Sequence, residues 1–300
     1  MSFRKSIQYV AIALLAIFIQ TSCTNRQESF ALSLVDETGR PQEVLLNLLN
    51  VMKIEHLGNL NSIVEETQKA WLRKPGQERW DIDPNQFKAL EESARPFLEQ
   101  LKIQVEIKPK NHDCKGILLL GATSKTQKKR YDFMNALDIN ASKYYYLVGE
   151  RDLDPSVESP ENLKKIFGEI DIADLRTETN VIQKIINVFP NSKENIVASA
   201  PKKLNASGQF VRPTTIDTLN AWLEKNPEPG KYLVVSSAPH IRYQNAVCQR
   251  FLAEKNLEDK FTFETIGYGS KTYNLPLFLD ALARELYETR LRLQKKGILS

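Results

Sequence analysis

The spacing of apolar residues changes once along this chain, and the change divides it into two parts. Between about 41 and 108 apolar residues recur three and four positions apart, which is the spacing of amphipathic helices, in LLNLLNVM, IVEETQKAWL and FKALEESARPFLEQL. From 109 onward short apolar runs alternate with helical stretches. The pattern predicts a helical subdomain over 41–108 and an α/β domain over 109–300.

Five apolar runs in the second part predict β-strands, which begin near residues 116, 144, 195, 232 and 261. Helices are predicted between and after the strands. The first follows the turn after the first strand and ends at 137, and the others span 161–168, 177–188, 214–224, 241–255 and 275–294. Strands that alternate with helices indicate a mainly parallel sheet built from right-handed crossovers. We therefore expect a Rossmann-like, three-layer domain with the helical subdomain packed against one side.

The third helix of the subdomain is predicted to start at Asp83-Pro84, with the proline in its first turn. The link before it, residues 73–84, contains Trp80 and two arginines. We expect Trp71 and Trp80 to pin the helices to the main domain, and contact of this link with a ligand is the alternative.

The N-terminus has the parts of a secretory signal. Arg4 and Lys5 precede an apolar run that is shorter than the roughly 20 residues of a membrane span, and Thr21-Ser22-Cys23 follows. A cysteine after small residues is similar to the lipobox of bacterial lipoproteins, although Gln20 stands where a leucine-like residue is usual. We predict a signal peptide over 1–23, lipidation of Cys23 and a polar tether over 24–40; an uncleaved anchor is the alternative.

Composition narrows the classes of partner. The formal net charge is +4, and two of the basic residues lie in the segment predicted to be removed. A nearly neutral mature chain argues against nucleic-acid binding. Cys114 and Cys248 are expected to be free thiols, and a disulfide between them in an oxidising compartment is the alternative. The spacing of cysteine and histidine residues does not match a zinc site.

The carboxyl ends of parallel strands are where ligands bind in such sheets. The turn after the first predicted strand, Gly121 to Ser124, is small and polar, so that the backbone can approach a ligand and Thr123 can bind it or simply cap the next helix. The turn is neither GxGxxG nor a P-loop, so an ordinary nucleotide fingerprint is absent.

The strongest candidate site follows the fourth strand, in YLVVSSAPHIRYQNAVCQRF at 232–251. Ser236, Ser237, His240 and Arg242 lie at its carboxyl end, and the start of the next helix offers amides to an anion. His240 is suited to proton transfer because its ordinary pKa is near 6.5. VSSAPH is not the GxSxG elbow of the α/β-hydrolases, which argues against a serine nucleophile.

Several segments together resemble the YdcF/SanA-like family of bacterial envelope proteins. The matches are Gly121 and Arg130 in GILLLGATSKTQKKR, Gly149 in YYYLVGERD, Glu178 in TETNVIQKII, and Ser236, Ser237 and His240 in LVVSSAPHIR. Two positions depart from the family pattern. Thr215-Ile-Asp-Thr218 has threonine where asparagine is expected, and Arg242 stands one place early, with Tyr243 at the usual arginine position.

The resemblance implies a Rossmann-like fold, an envelope location on the periplasmic side and a small polar ligand at the carboxyl edge of the sheet. Some members of the family are thought to bind a nucleotide-like compound such as S-adenosylmethionine, and others affect cell-wall precursor handling or the envelope barrier. The resemblance implies no single cofactor for this chain.

Three hypotheses follow. The first is a lipid-anchored protein that binds a small anionic or nucleotide-like ligand. Its site would use Gly121, Thr123, Arg130, Gly149, Thr215, Ser236, Ser237 and Arg242, with Glu178 and His240 as the proton-transfer pair. The second is an envelope scaffold that docks a partner through residues 41–105. The third is a hydrolase or transferase acting on an envelope precursor.

Overall fold

The structure, a computed structural model, describes residues 33–74, 76–169, 171–205 and 208–300. The predicted signal peptide, its Cys23 and the first part of the predicted tether lie outside the described residues. Within them, no helix is both long enough and apolar enough to cross a membrane.

In the part of the chain that the structure describes, seven strands form two sheets. They are β1 (Gly116–Leu120), β2 (Lys143–Gly149), β3 (Glu194–Ala200), β4 (Lys203–Leu204), β5 (Phe210–Val211), β6 (Gly230–Ser237) and β7 (Phe261–Tyr268). The central sheet has the order β3-β2-β1-β6-β7 and all its neighbours are parallel. The predicted α/β, Rossmann-like fold is confirmed. Strand order reverses between β1 and β6, which makes that junction the topological switch point.

Nine helices surround the sheets within the described residues. They are α1 (Glu43–Val51), α2 (Leu60–Trp71), α3 (Glu91–Gln100), α4 (Ser124–Asn135), α5 (Pro160–Phe167), α6 (Glu178–Val188), α7 (Thr215–Leu223), α8 (Ile241–Lys255) and α9 (Leu275–Lys295). Helices α4, α5 and α6 cover one face of the sheet, and α7 and α8 cover the other.

The central strands are apolar throughout because both faces of the sheet are covered. In β1, Ile117 and Leu119 point into the core beneath α4 and α6, whereas Leu118 and Leu120 point into the core beneath α7 and α8. The β1 residues are all buried. This burial fixes the positions of the turns that follow the strands.

The helical subdomain packs on the final helix. Leu45 and Leu48 of α1 and Ile63 of α2 share one buried cluster with Phe278 and Leu282 of α9. The cluster also holds Leu34 and Val35, from the segment predicted as a tether, and Trp71. Because α9 also packs on α8, the subdomain is held beside the carboxyl edge of β6.

The structure departs from the sequence-based expectation at two places. The third helix begins at Glu91 and not at Asp83-Pro84, because Phe87 has a left-handed backbone with φ of 66° and a short 3-10 turn follows it. The hairpin of β4 and β5 was not predicted, since two-residue strands are too short to show alternation.

Candidate functional site

A cavity of about 350 Å³ opens at the switch point. Gly121 follows β1, Gly149 ends β2 and His240 follows β6, and all three line the cavity. Further walls come from Arg73, Arg79 and Trp80 of the link, from the start of α7 and from α9. The cavity therefore lies where ligands bind in open α/β sheets, and the helical subdomain closes one side of it.

Arginine dominates the charge of this cavity. Its lining contains six arginines, Arg73, Arg79, Arg130, Arg151, Arg212 and Arg284, but only two carboxylates, Glu178 and Asp280. Two further carboxylates pair with lining arginines: Glu78 with Arg212 and Glu158 with Arg151. Six guanidinium groups thus face four carboxylates, which leaves the site positively charged.

Arg151 holds the sheet side of the site together. Its Nη1 donates to Glu158 Oε2 at 2.7 Å and its Nε donates to Glu178 Oε2 at 3.2 Å. Glu158 also accepts hydrogen bonds from the backbone N–H and the hydroxyl of Ser124, at 2.7 and 2.6 Å. A protein carboxylate therefore occupies the start of α4, where a phosphate would bind in a dinucleotide fold.

The two carboxyl groups on Arg151 titrate differently. Burial would raise the pKa of Glu158, but the hydrogen bonds and charge of Arg151 and the Ser124 hydrogen bond hold this pKa below its ordinary value. Burial raises the pKa of Glu178, and Arg151 offsets this only in part. Glu178 is thus the carboxyl group of the pair better suited to carrying a proton.

Gly121 is required by the position of Glu178. A Cβ atom on Gly121 would lie 1.8 Å from Glu178 Oε1 and 3.0 Å from the carbonyl oxygen of Leu147. Only glycine lets the carboxyl group reach the turn after β1. The small turn seen in the sequence therefore accommodates a protein carboxylate.

Asp280 neutralises one of the two arginines beside it, Arg73 of the link and Arg284 of α9. Its carboxylate accepts from Arg73 Nη1 at 3.0 Å and from Arg284 Nε at 3.0 Å, and Asp280 is only 1% exposed. A single carboxylate shared by two arginines leaves one positive charge over.

Arg79 has neither a hydrogen-bond acceptor nor an ion-pair partner among the described residues, and its Nε is buried without an acceptor. Burial, together with the charges of Arg212, Arg130 and Arg73, lowers the pKa of Arg79 to about 10. The group is still charged at neutral pH. An arginine in this state is an open donor for an anion.

Arg130 differs from Arg79 because protein oxygens already satisfy it. It donates to the carbonyl oxygens of Leu120 and Gly121 at 2.7 and 2.9 Å, and to the Ser237 hydroxyl at 3.0 Å. Burial lowers the pKa of Arg130 to about 10. Arg130 thus ties the ends of β1 and β6 together and adds a positive charge that no carboxylate contacts in the described structure.

The start of α8 completes the lining. His240 is its N-cap residue, and the described structure shows no side-chain cap on this helix. Tyr243 and Gln244 from its first turn line the cavity, and the Gln244 Oε1 atom is buried without a partner. Burial and then the charges of Arg79 and Arg130 lower the pKa of His240 well below its ordinary value. His240 is therefore neutral at neutral pH.

The structure brings together most residues that the sequence singled out. Seven of them line the cavity, namely Gly121, Thr123, Arg130, Gly149, Glu178, Thr215 and His240. Ser236 and Ser237 lie behind the lining, where their hydroxyls accept from Arg130. Arg242 is outside the lining: it pairs with Glu285 through two hydrogen bonds of 2.9 and 2.7 Å.

Other lining residues were not identified as ligand groups from the sequence. Arg73, Arg79 and Trp80 belong to the link whose contact with a ligand was only an alternative, whereas Trp71 is buried in the core. Arg284 and Asp280 lie on α9, where a helical pattern shows charge but not which cavity the charge faces. Tyr243 takes the position next to Arg242 that reaches the cavity.

Comparison with known proteins does not place the chain in a family. No family model matches it, and no curated protein does either. The YdcF/SanA-like resemblance therefore stays a prediction. Within the described residues no cluster of three histidine, cysteine or carboxylate side chains is placed to hold a metal ion, and Cys114 and Cys248 are free thiols.

Proposed function

We propose that this chain binds a small phosphate-bearing ligand in the arginine-lined cavity, as a lipid-anchored protein on the periplasmic side of the bacterial envelope. The observation that supports this most is the charge of the cavity, in which six arginines meet four carboxylates at the switch point of the sheet. A buried surplus of positive charge costs free energy unless an anion neutralises it.

Phosphate suits the donors better than other anions do. Guanidinium groups bind phosphate oxygens in pairs, and the open start of α8 adds the positive end of a helix dipole. His240 is neutral, so it contributes a hydrogen bond that depends on its tautomer. Arg79 is the arginine most available to the ligand, because the described structure gives it no acceptor.

S-adenosylmethionine fits this cavity poorly. Its sulfonium and ammonium groups carry positive charge, and they would be placed among guanidinium groups. The arginines favour a ligand with net negative charge.

A second candidate is a hydrolase or transferase that acts on the bound phosphate compound. Glu178, whose pKa is raised, and His240, whose pKa is lowered, line the same cavity. The raised pKa of Glu178 moves towards neutral pH, where a carboxyl group can transfer a proton, whereas the lowered pKa of His240 keeps its imidazole neutral and able to hydrogen-bond to the reacting group. Turnover that is lost in both Glu178→Gln and His240→Asn, with ligand binding retained, would favour this candidate over binding alone.

Thermal unfolding of the full chain in mild detergent tests binding. The panel is inorganic phosphate, methyl phosphate, pyrophosphate, S-adenosylmethionine and acetate. A phosphate compound at one hundred times its Kd adds about 2.7 kcal/mol, which raises Tm by several degrees. The increase should be absent in Arg79→Gln and present in Arg95→Gln, a control in the same subdomain that does not line the cavity. If no compound raises Tm, the scaffold hypothesis gains weight.

The envelope location has its own test. We expect Cys23→Ala to abolish fatty-acid labelling of the protein and to move it from the membrane fraction to the soluble fraction. Unchanged labelling in this variant would contradict lipidation at Cys23.

A further inference from the structure

A second, larger groove adjoins the arginine-lined cavity. It encloses about 760 Å³ and shares five lining residues with the cavity, which are Arg73, Trp80, Arg151, Arg212 and Arg284. A ligand whose phosphate lies among the arginines would therefore extend past these shared residues into the outer groove. The outer groove defines what the phosphate is attached to.

Aromatic side chains stand on the walls of the outer groove. Trp80 comes from the link of the helical subdomain and Phe210 from β5 of the short hairpin. Phe210 is 71% exposed, and its neighbour Val211 is 41% exposed. An exposed aromatic ring next to a charged cavity provides a flat apolar surface for a ligand to cover.

Polar side chains also line the groove, beside the apolar Leu72 and Val211. Lys202 donates to Asp152 at 2.6 Å, Arg212 pairs with Glu78 at 3.3 Å, and Asp154 also lines the groove. A hydrocarbon chain laid along these groups would remove water from charges without replacing its hydrogen bonds. A planar ring can stack on the aromatic and guanidinium faces while its edge stays near polar groups.

We infer that the outer groove is a second subsite that takes a planar aromatic group carried on the phosphate of the ligand. This inference rests on the proposed phosphate site, which supplies the anchor for the ring. The ligand class is thus an aryl or heteroaryl phosphate compound, with its phosphate among Arg79 and its neighbours and its ring between Trp80 and Phe210.

Four probes separate the ring from the phosphate: inorganic phosphate, methyl phosphate, 1-naphthyl phosphate and octyl phosphate. Titration calorimetry on the full chain in mild detergent, below the micelle concentration of octyl phosphate, gives a Kd for each. Stacking on one aromatic side chain is worth about a tenfold gain in affinity. We expect 1-naphthyl phosphate to bind about tenfold tighter than methyl phosphate, and octyl phosphate to gain less.

Trp80 reports the position of the ring. Of the three tryptophans in the chain, Trp71 and Trp222 are 3% and 0% exposed, whereas Trp80 lines the groove and is only partly buried. We expect 1-naphthyl phosphate to shield Trp80 from acrylamide quenching, and methyl phosphate to leave the quenching unchanged.

Phe210→Ser is the discriminating variant because the side chain is exposed and its loss should not unfold the protein. We expect this variant to lose most of the tenfold preference for the naphthyl compound. Leu204→Ser is the matched control: Leu204 pairs with Phe210 across the hairpin and is 62% exposed, but it does not line the groove. It should keep the preference.

The outcomes separate the two proposals. If no phosphate compound binds, the proposed function fails. If methyl and naphthyl phosphate bind equally, or if Phe210→Ser keeps the preference, the ring subsite is overturned while the phosphate site stands. A larger gain for octyl phosphate overturns the planar ring in favour of a hydrocarbon chain.

Discussion

Replacing Arg79 with methionine should make the unliganded protein more stable. The pKa of Arg79 is lowered from its ordinary value to about 10, mainly by burial and then by neighbouring arginines. At about 1.4 kcal/mol per pKa unit, the charge costs on the order of 3 kcal/mol in this place. Because Arg79 keeps some solvent contact, we expect a gain of about 1–3 kcal/mol from Arg79→Met.

The same substitution at Arg242 should have the opposite sign. Arg242 is 5% exposed and forms two hydrogen bonds to Glu285. Removing one partner of a buried ion pair leaves the other uncompensated and costs about 3 kcal/mol or more. Arg242 also donates to the carbonyl oxygen of Leu101 at 3.4 Å, so the two variants compare an arginine that has acceptors with one for which the described structure shows none.

The assay is thermal unfolding in a buffer without polyvalent anions, with urea unfolding as a second measure. One kcal/mol corresponds to about 2–4 °C in a protein of this size. We expect Tm to rise by several degrees in Arg79→Met and to fall in Arg242→Met. With pyrophosphate added, Tm should rise in the wild type but not in Arg79→Met. A lower Tm for Arg79→Met without anions would refute the view that this charge is uncompensated.

Three further predictions concern the groups around Arg79. Gly121→Ala should displace the Glu178 carboxyl group from Arg151, destabilise the protein by about 1–3 kcal/mol and weaken phosphate binding, as measured by Tm and calorimetry. Glu158→Gln should lower the free energy of unfolding by about 2 kcal/mol, because the ion pair and the charge at the start of α4 are lost. In urea unfolding this appears as a lower midpoint with an unchanged m value. The pKa of His240 is lowered by burial, so below pH of about 6.5 the unfolded chain binds a proton that the folded chain does not; stability should therefore fall between pH 7 and 5, and less steeply in His240→Asn. An equal slope in that variant would contradict a buried neutral imidazole.

The sheet could be predicted from the sequence because local pattern encodes it. The apolar runs of β1 and β6 are bounded by turns and buried on both faces, so run length and spacing sufficed. The start of α3 could not be predicted in the same way. The left-handed backbone at Phe87 delays the helix, and no local rule assigns that conformation to a phenylalanine.

The site was predictable only where it belongs to the sheet. Gly121 and His240 follow strands, so their meeting at the carboxyl edge follows from parallel topology. Arg79 and Arg284 reach the cavity through packing of the helical subdomain and α9, and sequence spacing does not encode that packing. Arg242 shows the opposite case. The sequence placed it correctly beside the cavity, but its side chain pairs with Glu285 and does not line the cavity.

A crystal structure of the full chain grown with tungstate, an electron-dense analogue of phosphate, would test the phosphate site most directly. We predict a strong density peak inside the cavity, within hydrogen-bond distance of Arg79 and next to the first turn of α8. Tungstate bound only at exposed lysines, with no peak in the cavity, would contradict the account.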